Sequence, residues 1–405
     1  MSISQLAREV KESPTLKLNE RARLLREKGE PVIHLGAGEP KSKVPIDAVL
    51  ACSAKLKSAD IRYTPTEGIP PLLKAIVRYT EEHYNKVVAP ENICVHAGAK
   101  QAFYNLMMSI LNPQDEVVIL APYWVSYPEI VKMVYGVPVI VTPEDGRFVP
   151  RIEDIKEVVG SYTKAIVVNS PNNPSGAVYP REFIAEIVEY CEQKGLYLIM
   201  DDIYHQLYFE GKKPVSCYEY AKDQSEASRL IVVNGVSKAY AMTGFRIGWT
   251  IANRKVTQAM INIAAQNTSC PSVVLQYAAV GALEGVQSGV EALRQTLENS
   301  RNVMLNELNA FNGIKITPPG GTFYCLPDFR AYSHKSSELC EFLLEKARVV
   351  TVPGVEFGME GHLRLSYCGS IKEITEGIRR IKWALDPDSP NEIYIGDRKL
   401  RRDWK

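Results

Sequence analysis

The 405-residue chain has eight cysteines but no Cys-x-x-C pair and no cluster of cysteine with histidine. A disulfide scaffold and a cysteine–histidine zinc centre are therefore not expected, nor is any other metal. Isolated thiols fit a reducing, cytoplasmic compartment, where they act mostly as small buried hydrophobes. No apolar run approaches the length of a membrane span. The opening stretch, MSISQLAREVKESPTLKL, lacks the apolar core of a secretory signal. A formal net charge of +1 gives no whole-chain basic field, so neither membrane nor nucleic acid is an expected partner. There is no internal repeat and no low-complexity block. What remains is ordinary globular composition, 45% hydrophobic and 23% charged, in a chain long enough for more than one domain.

What the chain does have is a recurring theme. Between residues 90 and 250, short β-branched apolar runs end abruptly in polar or glycine-rich residues, often with a helical pattern behind them. The runs are ICVHAG (93–98), EVVILAP (116–122), KAIVVNS (164–170), LYLIMDD (196–202) and LIVVNG (230–235). Continuous apolar strands separated by helices predict an α/β fold, with a mostly parallel sheet covered on both faces. Ligands in such sheets gather beyond the carboxyl ends of the strands. Behind the first run, Ala102, Phe103, Leu106, Met107, Ile110 and Leu111 repeat at helical spacing until Asn112-Pro113 stops the helix.

Near residue 286 the pattern changes. A charged helical stretch, Val290 to Leu308, leads into the strand-like runs GTFYCLP, VVTVPG and HLRLSYC, and a closing helix spans 371–385. The expected division is a segment 1–45 packing with the small domain, a large domain 46–285, a small α+β domain 286–385 and a polar, basic surface extension 386–405.

The strand ends carry the chemistry. Gly98-Ala99-Lys100 opens a helix, where small residues let N–H groups approach an anion and the helix dipole favours phosphate. Trp124 offers a face for stacking on a flat ring. The SPNNPSG turn holds the Asn173 amide rigidly. Asp201 ends an apolar strand and needs a cationic partner, with Tyr204 three residues on. Lys238 sits in an apolar setting that favours the neutral, nucleophilic amine, and Arg246 follows eight residues later. Each feature has an ordinary alternative: a plain helix start, a core tryptophan, a simple turn, a capping aspartate, a snorkelling lysine. Together they describe a ligand with a phosphate, a flat ring, a ring nitrogen wanting an anion, a ring oxygen wanting donors and a carbonyl for lysine, which is pyridoxal 5′-phosphate (PLP).

At this point the sequence resembles the class I aminotransferases, the aspartate aminotransferase family of PLP fold type I, over residues 11–385. The motifs are LGAGEP (35–40), YTPTEGIPPL (63–72), GAKQAFYNL (98–106), APYWVSYPE (121–129), NSPNNPSGAVYP (169–180), DDIY (201–204), SKAYAMTGFRIGW (237–249) and HLRLSYC (362–368). The resemblance implies that Lys238 carries the Schiff base and Asp201 partners the ring nitrogen. It implies that Tyr204 and Asn173 serve the ring oxygen and that Trp124 stacks on the ring. Gly98, Ala99, Lys100, Ser237 and Arg246 then cradle the phosphate. It implies that Tyr63 reaches the phosphate of a partner subunit in a homodimer with shared sites. Arg364 is expected to grip the substrate α-carboxylate with Gly38, Trp124 and Asn173. Lys100 and Thr15 resemble the distal-carboxylate side of the branch that handles aspartate and, in some members, prephenate.

Three departures stand out. Gly235 replaces a serine that contacts the phosphate in many members. Ser175 replaces the commoner threonine of its turn. Lys41 and Lys43, in KSKVP, replace a commonly acidic segment at the site entrance. A dinucleotide fingerprint at Gly36 and Gly38 fails, because Lys41 stands where glycine or alanine is required and Pro40 breaks the helix start. The expected function is ping-pong transfer of an amino group between aspartate or glutamate and a 2-oxo acid. The alternatives are prephenate, aromatic or other amino acid specificity, a PLP-dependent lyase, or a non-catalytic PLP-binding dimer.

Overall fold

A computed structural model of the chain describes residues 3–10, 14–221, 227–395 and 398–404. The short strand β1 (Ile33–His34) precedes a seven-stranded sheet built from β2 (Ile93–His96), β3 (Glu116–Leu120), β4 (Val137–Val141), β5 (Thr163–Asn169), β6 (Tyr197–Asp201), β7 (Leu230–Gly235) and β8 (Gly248–Ile251). The strand order is β2-β8-β7-β6-β5-β3-β4. Neighbours from β4 through to β7 run parallel, and β8 lies antiparallel to both β7 and β2.

The continuous apolar runs follow from burial on both faces. Val118, Ile166, Leu198 and Val232 enter one core, while Val117, Val167, Ile199 and Val233 enter the other. Each such side chain, fully buried, contributes about 1.5–3 kcal/mol. Helices Pro70–Tyr84 and Arg181–Lys194 feed the first core, and helices Ala99–Ile110 and Arg254–Asn267 the second.

A third core gathers helices Ser288–Leu308 and Ile371–Leu385 with strands β9 (Tyr324–Cys325), β10 (Val349–Val350) and β12 (Leu363–Ser366), and β11 (Val352–Pro353) pairs antiparallel with β12. Ile33 and Leu35 belong to it, and β1 pairs in parallel with β10. Ser370 and Glu373 form a capping box that starts the closing helix. Ile203, Tyr204 and Leu207 also pack into this core, so the turn after β6 joins it to the large sheet. The C-terminal residues fold back as a hairpin, β13 (Glu392–Ile395) with β14 (Arg398–Arg401). Trp404 then packs edge-on to Phe342 and Trp383 and donates to the Ala384 carbonyl at 3.1 Å. Among the described residues, no helix is long and apolar enough to cross a membrane.

Candidate active site

The carboxyl ends of β5, β6 and β7 converge, and β12 faces them from the third core. Asp201, the last residue of β6, is 4% exposed. Its Oδ2 accepts from the Tyr127 hydroxyl at 2.5 Å, and its Oδ1 accepts from the Ile203 N–H at 3.2 Å. Burial pushes its carboxyl up to about 6, against the opposing pull of Tyr127, the Ile203 amide and the field of Lys238. Tyr127 goes unnoticed in the sequence, although it lies in the same APYWVSYPE stretch as Trp124.

Lys238 follows β7, with its Nζ donating to the Gly38 carbonyl at 2.7 Å and lying 5.8 Å from the Tyr204 ring centre and 5.7 Å from that of Phe323. Burial, with the neighbouring Arg364 charge, lowers the amine to about 8. Tyr204 is buried against Phe323 and Tyr324, its hydroxyl 3.5 Å from that of Tyr324. Asn173 is fixed from its backbone, its N–H donating to Asn169 Oδ1 at 2.8 Å.

Arg364 projects from β12 and is 5% exposed. It donates from Nη1 to Asn173 Oδ1 and from Nη2 to the Gly36 carbonyl, both at 3.2 Å. Tyr324 and Phe357 flank the guanidinium at 4.4 and 5.0 Å. Its Nε has no hydrogen-bond partner, and no carboxylate pairs with it among the described residues. A buried guanidinium without an acid is costly, and a bound carboxylate would complete it.

At the first strand end, Gly98 (φ +85) precedes helix Ala99–Ile110. A Cβ there would lie 2.4 Å from Arg246 Nη2, and one on Gly248 would lie 2.6 Å from the Ala99 nitrogen. The two glycines bring a guanidinium and a helix N-terminus together, an arrangement suited to phosphate. Arg246 is itself held by the carbonyls of Thr243 at 2.9 Å and Ala97 at 3.4 Å. Ser237 is buried beside Lys238. Trp124 stands edge-on to Tyr127, with Lys100 Nζ 5.2 Å above its ring.

Tyr63 and Thr15 are the remaining predicted residues. Tyr63 is 89% exposed. Thr15 lies in helix Pro14–Glu27, but its side chain is outside the described residues. Gly235 has a steric reason: a Cβ there would meet the Ile247 carbonyl at 2.8 Å and Gly248 Cα at 2.9 Å. Lys41 pairs with Glu373, its Nζ 2.8 and 3.0 Å from the two carboxylate oxygens, so part of the entrance charge is neutralised.

Residues 30–381 match the family described as aminotransferase class I and II. A probable aspartate/prephenate aminotransferase of Aquifex aeolicus is 40% identical, with 93% of this chain and 97% of that protein covered. The aspartate aminotransferase of Bacillus subtilis is 36% identical, with 93% and 97% covered. Among solved structures, the Thermus thermophilus aspartate aminotransferase with maleate is similar at a TM-score of 0.89 and 36% identity, over 95% of this chain and 100% of that one. With these cores, this sheet order and these strand-end residues, the chain belongs to the class I and II aminotransferases, with the α/β architecture of PLP fold type I.

Proposed function

We propose that this aminotransferase uses PLP to move an amino group between aspartate or glutamate and a 2-oxo acid by a ping-pong mechanism. The observation that carries the reading is Arg364, a buried guanidinium with no acid partner among the described residues, whose charge is felt at the amine of Lys238. An amino acid placed with its carboxylate on Arg364 brings its amino group toward that lysine.

The residues fit the cofactor. Lys238 would hold its aldehyde, Asp201 its ring nitrogen, Tyr204 and Asn173 its ring oxygen, and Trp124 its ring face. Gly98, Ala99, Lys100, Ser237 and Arg246 would hold its phosphate. PLP, when bound, supplies an electrophilic carbon for the amine and a ring that accepts electrons from the substrate Cα. Asp201 holds the proton on the ring nitrogen, and Lys238 Nζ, once free, moves the Cα proton as base and then acid. Arg364, Asn173 and Gly38 orient the substrate carboxylate. Inward movement of β12 would exclude water from the site.

The preference for a second carboxylate rests on Lys100, which is exposed at the cleft beside Trp124, with Thr15 on the same side by resemblance. The Thermus relative with maleate, a dicarboxylate, supports it. The division at residues 45, 285 and 385 belongs to the same reading. So does a homodimer: Ile46, Val49 and Leu50 share one face of helix Ile46–Lys57 and are 65%, 38% and 59% exposed, and Tyr63 is exposed as well. Initial rates with aspartate, glutamate, prephenate, tyrosine and alanine test the reading. Pyruvate and ammonia released without a 2-oxo acid would instead indicate a lyase.

A further inference from the structure

Helix Val273–Glu284 is apolar except for Gln276, which is 0% exposed. An amide is costly to bury unless its groups are paired. All three side-chain bonds of Gln276 leave its own helix. Its Oε1 accepts from the Ile69 N–H at 2.8 Å, and its Nε2 donates to Thr64 Oγ1 at 3.2 Å and to the Pro271 carbonyl at 2.9 Å. The amide oxygen and both amide hydrogens are thereby engaged.

The segment it holds is the loop 63–69. Two further bonds fix that loop: the Thr64 N–H donates to Cys270 Sγ at 3.5 Å, and the Glu67 carbonyl accepts from the Val95 N–H in β2 at 2.9 Å. Yet Tyr63, at the start of the loop, is 89% exposed. A firmly held loop that leaves a tyrosine in solvent is built to present it, and tyrosine is favoured where one protein surface meets another. The same helix supports the exposed apolar face of helix Ile46–Lys57. A Cβ on Gly281 would lie 2.4 Å from the Asp47 carbonyl oxygen, and Asp47 Oδ2 accepts from the Val286 N–H at 3.0 Å. One helix therefore carries both the apolar face and the loop of Tyr63, and this continuity makes a second copy of the chain the partner that Tyr63 meets.

We propose that Gln276 is a positioning residue for the neighbouring subunit's site: by fastening Thr64 and Ile69 to Pro271 it orders the loop of Tyr63, and so sets the PLP affinity of the other copy. A loop ordered in advance loses little conformational freedom when it meets a ligand. The inference rests on the proposed homodimer with shared PLP sites.

Its test is the PLP dissociation constant, read from the absorption band of the lysine-linked cofactor, with sedimentation confirming the dimer. Gln276→Met replaces the amide with an apolar chain of similar length. As a homodimer it is expected to bind PLP about tenfold more weakly, the scale seen when groups that orient a site's ligands are lost. Two mixed dimers then separate an effect across the interface from one within the subunit. With Gln276→Met in one subunit and Lys238→Ala in the other, the one remaining lysine faces a Tyr63 loop with Gln276 intact, and wild-type affinity is expected. With both changes in the same subunit, the remaining lysine faces the loosened loop, and the affinity should be as weak as in the Gln276→Met homodimer. The reverse pattern, or wild-type affinity in both, would overturn the inference. If Gln276→Met does not fold, Thr64→Val removes one of the same bonds and takes its place in both dimers. Tyr63→Phe binding PLP as wild type does would be a different result, overturning the shared-site reading and this inference with it.

Discussion

Arg364 reaches from β12 to Asn173, its Nη1 3.2 Å from the amide oxygen, across 191 residues of sequence. The contact joins the third core to the turn after β5 and leaves the guanidinium without an acid among the described residues. Lysine could keep the charge but not the planar fork. Arg364→Lys is expected to lower kcat/KM for aspartate by about a hundredfold, or about 3 kcal/mol. The loss should fall mainly in KM, with PLP affinity unchanged.

Asp201 gives a pH signature in the apoprotein. Its carboxyl is raised from 3.8 to about 6, so the native state binds more protons than the unfolded chain between these values. Stability falls as pH rises through that window, and the penalty is complete above it. Asp201→Asn removes the penalty and leaves Tyr127 an oxygen to bond. The apo variant should therefore melt above wild type near pH ~7, with the gap closing toward pH ~4, even though its activity is lost. Thermal scans across this range measure the gap.

Gly235 separates resemblance from local sterics. Restoring the family's serine places a Cβ 2.8 Å from the Ile247 carbonyl, a backbone atom that cannot swing aside. Gly235→Ser should lower stability by about 1–3 kcal/mol without tightening PLP binding. Chemical denaturation and a PLP titration on the same samples check both parts.

The fold was legible where burial is two-sided, because a β-branched run closed by polar residues fits little except a strand inside a covered sheet. β4 was missed because Pro138 interrupts its run, and the strand lies at the sheet edge, where proline is tolerated. β8 was missed because it is only four residues long and its first two, Gly248 and Trp249, close the SKAYAMTGFRIGW motif. Of the site, Lys238 and Asp201 could be named from type and context, and Arg364 only from the family resemblance. Tyr127 could not, because its bond to Asp201 spans 74 residues and nothing local marks it. The C-terminal residues read as a surface extension because their average is polar, which conceals the single tryptophan that anchors them.

Lys100 tests the second carboxylate. The residue is exposed overall, yet partial burial of its amine, with the Arg246 charge, lowers its pKa. Lys100→Ala should cost aspartate about fivefold in kcat/KM, the worth of a solvent-exposed ion pair, and cost tyrosine less. Equal losses for both substrates would return Lys100 to the phosphate alone.

The most direct measurement is single-turnover absorption of the PLP-loaded enzyme mixed with aspartate. The account predicts loss of the band of the lysine-linked cofactor, appearance of pyridoxamine phosphate, and recovery of the first band when a 2-oxo acid is added. It predicts no such conversion in Lys238→Ala. An enzyme that bound PLP but gave no pyridoxamine phosphate with any amino acid would contradict it.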